Sequence, residues 1–232
     1  MNIPRPQLAD IDGDGDDDLF VQETSGSVMF FENVQGASPQ YQFRSERYQD
    51  LEVGEWYRFV DLDRDADLDL LAEQPFSYVR YYRNDGGPTD PRFVMAADSL
   101  KDTDGTPLFS DRQNIPNATD IDCDGQMDLL IGRLIGTVTR YEETGVDAEG
   151  VPRFRHITDR FEDIEIVAQI GGSLHGANTM ALGDVDDDGD EDLFWGDYFE
   201  PGVLFIENSG TCQSPSLRGQ PQSFPTADPL RT

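Results

Sequence analysis

The sequence predicts an all-β chain, a β-propeller built of four-stranded antiparallel blades with four blades present in 232 residues. Three observations carry this. The pattern Asp-x-Asp-x-Asp-x-x-x-Asp-Leu occurs four times, beginning at Asp10, Asp61, Asp120 and Asp184. After each copy come short apolar runs bounded by Gly, Asn, Pro and Asp, which is strand punctuation. The copies start 51, 59 and 64 residues apart, a spacing that suits four-stranded repeat units.

Each unit reads as strands A to D, with the Asp loop joining A to B. Strand A is the segment ending at the first Asp of the loop (PQLAD, YRFVD, NATD, ALGD). Strand B follows the last Asp, as LFVQE from Leu19, LLAEQ from Leu70, LLIGR from Leu129 and LFWGD from Leu193. Strand C is VMFFEN to Asn33, VRYYRN to Asn84, VTRYEE to Glu143 and VLFIEN to Asn208. The last Asp of the loop precedes that terminal residue by 15, 15, 15 and 16 positions. Strand D is placed around Phe43, Phe93, Phe154 and Leu217. The blades are therefore expected at 1–50, 51–110, 111–172 and 173–219, with a Pro/Ser-rich tail at 220–232.

Charge is concentrated where the pattern is. The chain has 47 acidic and 17 basic side chains, a net charge of −30. The four loops hold 22 of the acids and one Arg. Such a surface disfavours nucleic acid, because it cannot neutralise a run of phosphates, and it disfavours docking to anionic membranes. No apolar run approaches the roughly 18 residues that a membrane span needs.

Several carboxylates on one tight loop repel one another unless a cation lies among them. Calcium takes six to eight hard oxygens and tolerates irregular geometry. Side chains at positions 1, 3, 5 and 9, with the backbone carbonyl of position 7, would supply them. In loop one these are Asp10, Asp12, Asp14 and Asp18 with Asp16, and in loop two Asp61, Asp63, Asp65 and Asp69 with Asp67. Loop three has Asp120, Asp122, Asp124 and Asp128 with Gln126, and loop four Asp184, Asp186, Asp188 and Asp192 with Asp190. Up to four calcium ions are expected. Position 6 must turn sharply, which Gly15, Gly125 and Gly189 do at low steric cost. Ala66 does not, so loop two is expected to be the weakest. An EF-hand is excluded, because its Glu at position 12 is replaced by Val21, Ala72, Ile131 and Trp195 in strands. The competing reading is an acidic, solvated turn without metal.

Cys123 occupies position 4 of loop three and should point outward. It could pair with Cys212 in an oxidising compartment, a link closing about 90 residues; two free thiols are the alternative.

The elements DIDGDGDDDLF, DIDCDGQMDLL and DVDDDGDEDLF, each followed by a run ending in FFEN, RYEE or FIEN, resemble the FG-GAP/VCBS-type repeats of integrin α-subunit propellers and bacterial surface proteins. The resemblance covers residues 4 to about 218. It implies an extracellular or cell-surface propeller with calcium in the A–B loops, serving adhesion or recognition. The departures are loop two without its glycine, loop three with fewer charges, and fewer units than integrin propellers carry. The start MNIPRPQLAD lacks a secretory signal, so a trimmed form or an internal piece of a longer product, part of a larger ring, is expected.

A protein or glycan ligand is expected on the face opposite the loops. That face is formed by the B–C turns at 23–27, 73–77, 132–137 and 196–202 and the connections 46–55, 95–115 and 157–178. It gathers Phe76, Arg133, Tyr198 and Phe199, with Trp56, His175 and Arg112 nearby; aromatics beside arginine suit such ligands. Trp195 is assigned to packing between blades. Catalysis has little support: His156 and His175 are the only histidines, and no nucleophile motif surrounds Ser173. The expected function is a non-catalytic calcium-binding module for extracellular adhesion or protein recognition. The alternatives are a lectin-like carbohydrate binder or a polysaccharide lyase or glycosidase using acids such as Asp197 and Glu200.

Overall fold

Four times the chain alternates a short extended run with a tight turn, and each time the runs pair as neighbours. The computed structural model describes residues 5–23, 25–34, 38–111, 114–165, 179–196, 203–219 and 221–224. The first sheet orders β1 (Arg5–Ala9), β2 (Asp18–Gln22), β3 (Val28–Asn33) and β4 (Tyr41–Ser45); the second β5 (Tyr57–Val60), β6 (Asp69–Gln74), β7 (Tyr78–Asn84) and β8 (Phe93–Ala97). The third contains β9 (Asn117–Thr119), β10 (Asp128–Gly132), β11 (Val138–Val146) and β12 (Pro152–Thr158); the fourth β13 (Thr179–Gly183), β14 (Asp192–Gly196), β15 (Val203–Ile206) and β16 (Gln222–Phe224). These are the four antiparallel propeller blades expected from the sequence. No helix among the described residues is long and apolar enough to cross a membrane.

Two compact units contain the blades. The first comprises Met1–Lys101, Pro107–Phe109 and Val146–Pro152, and the second Asp102–Thr106, Ser110–Gly145 and Arg153–Thr232. In the first, Phe20 of β2 lies at 0 % exposure between Phe30 and Phe59, with ring centroids 5.0 and 4.5 Å away. Val53, Tyr57, Leu70 and Ala72 complete that core. In the second, Ile121, Leu130, Met180, Leu193, Trp195 and Ile206 pack together, so Trp195 has the packing role assigned to it. Asn117 of β9 donates through Nδ2 to the Met180 carbonyl of β13 at 3.3 Å, which ties the third blade to the fourth within this unit.

The core also fixes the Asp loops from below. Their second residue is apolar, and Ile11, Leu62 and Ile121 are buried, whereas Val185 of loop four is exposed.

Strand D of the fourth blade differs from the expectation. It runs Gln222–Phe224, within the stretch read as tail, and pairs with β15. The run ending at Leu217 is used otherwise. Ser209 N donates to Ser216 O, Thr211 and Ser214 pair, and the Asn208 side chain accepts from Gly210 and Ser216. Those residues form a turn that seats Leu217 in the core at 1 % exposure, and pairing resumes only beyond it.

A second repeated element was not read from the sequence. After strand D, Arg47–Leu51 and Arg160–Ile164 form matching 3-10 turns with positive φ at Gln49 and Asp50 (48° and 53°) and at Glu162 and Asp163 (50° and 54°). They bury Leu51 and Val53 in one unit and Phe161 and Ile164 in the other.

Candidate metal centres

The Asp loops fold alike because their own backbone satisfies the first carboxylate. Asp10 accepts from Asp14 N through Oδ1 and from Gly15 N through Oδ2, both at 3.1 Å. Asp61 accepts in the same way from Asp65 and Ala66, Asp120 from Asp124 and Gly125, and Asp184 from Asp188 and Gly189. The fifth residue then accepts from the seventh: Asp14 from Asp16, Asp65 from Asp67, Asp124 from Gln126 and Asp188 from Asp190. This curls each loop round a centre. Oxygens of Asp10, Asp12 and Asp14 come within 4.8 Å of one another, as do those of Asp61, Asp63 and Asp65 and of Asp184, Asp186 and Asp188. In loop three the close groups are Asp120, Asp122 and Asp128, and Asp122, Asp124 and Glu142.

Backbone conformation explains the glycines. Position 6 has positive φ throughout: 91° at Gly15, 73° at Ala66, 85° at Gly125 and 90° at Gly189. Position 4 does too, with Gly13 at 69°, Arg64 at 62°, Cys123 at 51° and Asp187 at 63°. At Gly13 a Cβ would lie 2.9 Å from the Pro88 carbonyl oxygen, so only glycine fits there. Loops three and four thus carry one non-glycine residue in the left-handed region, and loop two carries two. Ala66→Gly should therefore tighten loop two and stabilise the protein by about 1 kcal/mol. A rise in melting temperature of about 2–4 °C in calcium would report it.

Position 9 joins the loop to its sheet. Asp18, Asp69, Asp128 and Asp192 are each at most 2 % exposed and open strand B. Oδ1 of Asp18 and Asp69 accepts the backbone N–H of Asn33 and Asn84, which end strand C, at 2.7 and 2.8 Å, and Oδ1 of Asp192 that of Asn208, two residues beyond β15, at 2.8 Å. In these three blades the near-constant spacing brings the two ends of this bond together. Oδ2 of Asp69 and Asp192 accepts from position 2 at 3.3 and 3.2 Å, and Tyr81 adds its hydroxyl to Asp69 at 2.8 Å. Burial pushes Asp18 up to about 6 and Asp69 up to about 7.

Several carboxylate oxygens are buried and have no hydrogen-bond donor. Among the aspartates they are Asp12 Oδ1, Asp16 Oδ1 and Asp18 Oδ2 in loop one, Asp63 Oδ1 and Asp67 Oδ1 in loop two, Asp122 Oδ1 in loop three and Asp190 Oδ1 in loop four. Burying an anionic oxygen unpaired is costly, and a divalent cation at the loop centre removes that cost. Position 7 is the unexpected member: its carboxylate, as well as its carbonyl, is available in loops one, two and four. Burial, then the charges of Asp65, Asp63 and Asp61, raise Asp67 to about 6. Desolvation, followed by neighbouring aspartates, also raises Asp12, Asp16, Asp63, Asp186 and Asp190.

Loop three is bridged by a basic side chain. Arg140 of β11 donates through Nε to Asp128 Oδ1 at 2.7 Å and through Nη2 to Asp122 Oδ2 at 2.5 Å. The same loop is tied covalently, since Cys123 and Cys212 form a disulfide with Cα atoms 5.5 Å apart. Cys123 is exposed, as its position required.

On the turns opposite the loops, Phe76 is 84 % exposed at φ 84°. Trp56 corrects the expectation, being 0 % exposed and part of the interior. Arg133 donates to Thr139 Oγ1 at 2.7 Å, and exposed His156 of β12 contacts Asp159 at 2.9 Å. Arg112, Ser173, His175, Asp197, Tyr198, Phe199 and Glu200 lie outside the described residues. In the first unit an open cleft of about 410 Å³ is lined by Ser25, Ser27, Arg47, Glu52, Glu73 and Arg80 among others.

No curated protein matches the chain. Residues 10–72, which run from the first Asp of loop one through loop two into β6, match the family model of the FG-GAP-like repeat.

Proposed function

We propose that this protein is a calcium-binding β-propeller module that serves extracellular or cell-surface adhesion or protein recognition without catalysis. The observation that carries the calcium reading is the set of donorless, buried carboxylate oxygens converging in loops of one geometry. Hard oxygens, irregular spacing and a high ligand charge favour calcium over magnesium, which demands a near-octahedral shell. The metal's part is structural: it neutralises the loop and so holds strand A to strand B. Millimolar free calcium outside cells suits such sites.

The titration of the loops supplies the test. Folded-state values of about 6 for Asp18 and Asp67 and about 7 for Asp69 lie above the roughly 3.9 of an unfolded aspartate. Metal-free folded protein therefore binds more protons than the unfolded chain between about pH 4 and 7. Its stability declines as pH rises through that window. Calcium must displace those protons. Calorimetric titration should show micromolar binding at pH 7.5 that weakens by about tenfold or more at pH 5.5. Absence of binding at pH 7.5 would remove the calcium reading.

The cleft of the first unit, with its serines, carboxylates and arginines, favours a carbohydrate ligand as the second reading. Retention on a glycan array without turnover would select it, and product release from a polysaccharide would select an enzyme.

A further inference from the structure

We infer that the third Asp loop binds no calcium and is closed by a cation belonging to the chain, the guanidinium of Arg140. The inference rests on the calcium reading of the other three loops and concerns where the residues depart from it.

In strand C the residue two places after the opening Val is Phe30 in the first blade, Tyr81 in the second and Phe205 in the fourth. In the third it is Arg140, opposite Leu130 on β10. Its side chain is 10 % exposed and reaches back into the loop, where it bridges position 3 (Asp122) to position 9 (Asp128). Phe161 lies 5.8 Å beneath the guanidinium, and Glu142 is 3.6 Å from Nη2. Asp122 Oδ2 and Asp128 Oδ1 are thus held by N–H donors in a charge-assisted fork, which sets a fixed positive charge against two of the loop's four carboxylates. A calcium ion beside a buried guanidinium would also meet like charge in a poorly screened setting.

The rest of the loop agrees. Position 7, whose carboxylate is donorless in loops one, two and four, is here neutral Gln126, and its amide donates to Asp124 Oδ2 at 3.4 Å. With four carboxylates this loop has the fewest acids. The bond from position 9 to the end of strand C is also replaced: Asp128 Oδ1 takes Arg140, and Glu143 N donates instead to Met127 O at 2.8 Å. Among the aspartate oxygens Asp122 Oδ1 is left without a donor, against three in loop one, two in loop two and one in loop four, and in loop four that one is the position-7 carboxylate that Gln126 replaces here. The disulfide at position 4 adds a covalent tie that the other loops lack.

Native mass spectrometry of the whole chain in calcium decides it, with the metal alone as probe. Three ions are expected in the unsubstituted protein. Asp10→Asn, Asp61→Asn and Asp184→Asn should each lower the count to two, while Asp120→Asn leaves it at three. Arg140→Phe, which restores the residue type of the first and fourth blades, should raise it to four. Four ions in the unsubstituted protein, or a loss on Asp120→Asn, would overturn the inference even if the Arg140 variant does not fold. A count of zero overturns the calcium reading and this contrast together, and so is distinguishable from a count of four.

Discussion

Removing calcium with EDTA should lower the melting temperature by about 15 °C or more relative to millimolar calcium. With a Kd of about 10 μM and free calcium of about 1 mM, mass action stabilises the folded state by about 2.7 kcal/mol per site. Three independent sites would contribute about 8 kcal/mol, comparable with the whole stability of an ordinary domain. For a chain of this size each kcal/mol moves the midpoint by about 2–4 °C. The physical source of the effect is local. Without metal, loops one, two and four must either protonate or leave buried carboxylate oxygens uncompensated, and position 9 is the residue that opens strand B. Strain in the loop therefore passes directly into the sheet. Scanning calorimetry in the two buffers makes the comparison, and coincident melts would show that the loops are acidic turns with no structural ion.

Breaking the Cys123–Cys212 link should have the next largest effect. The two residues are 89 apart in sequence, and closing a loop of that length in the unfolded chain is worth about 4–5 kcal/mol in the chain-entropy account. Cys212→Ser in calcium should lower the midpoint by about 10 °C or more. That variant leaves position 4 of loop three unchanged, so the change reads the crosslink and not the turn. A shift below about 2 °C would mean that the unfolded ensemble is already restrained by other means.

The architecture was legible because three kinds of signal agreed. Alternating apolar runs marked the strands, the Asp pattern marked the A–B turn, and the near-constant distance from its last Asp to the end of strand C marked a repeated unit. Where the reading missed, one signal was absent or overshadowed. The fourth D strand was placed at Leu217 because a buried apolar residue after Pro looks like a strand start, and nothing local says that a turn precedes it. The paired 3-10 turns were legible in principle, since RYQDLEV and RFEDIEI repeat after strand D. They were read as open connections available to a ligand, though Leu51, Val53, Phe161 and Ile164 are core. Trp56 misled for a related reason: an aromatic near an arginine on a connection looks the same in sequence whether it faces solvent or the interior. In the loops, residue spacing located the carboxylates but could not say which of their oxygens already had donors. Arg140 is the plainest case. Its signal was a charged residue where the other blades carry an aromatic, and it becomes meaningful only when the strand is paired and the side chain is seen to turn back into the loop.

The disulfide also bears on how this protein would respond to proteolysis. Every peptide bond between Cys123 and Cys212, including those after Arg133, Arg140, Arg153, Arg155 and Arg160, lies inside the crosslinked span. A single cut there by a trypsin-like enzyme leaves the two fragments covalently joined, with the fourth Asp loop still attached to the third. Such a nicked molecule keeps its mass, apart from one added water, until it is reduced, and its wounds become visible only on a reducing gel.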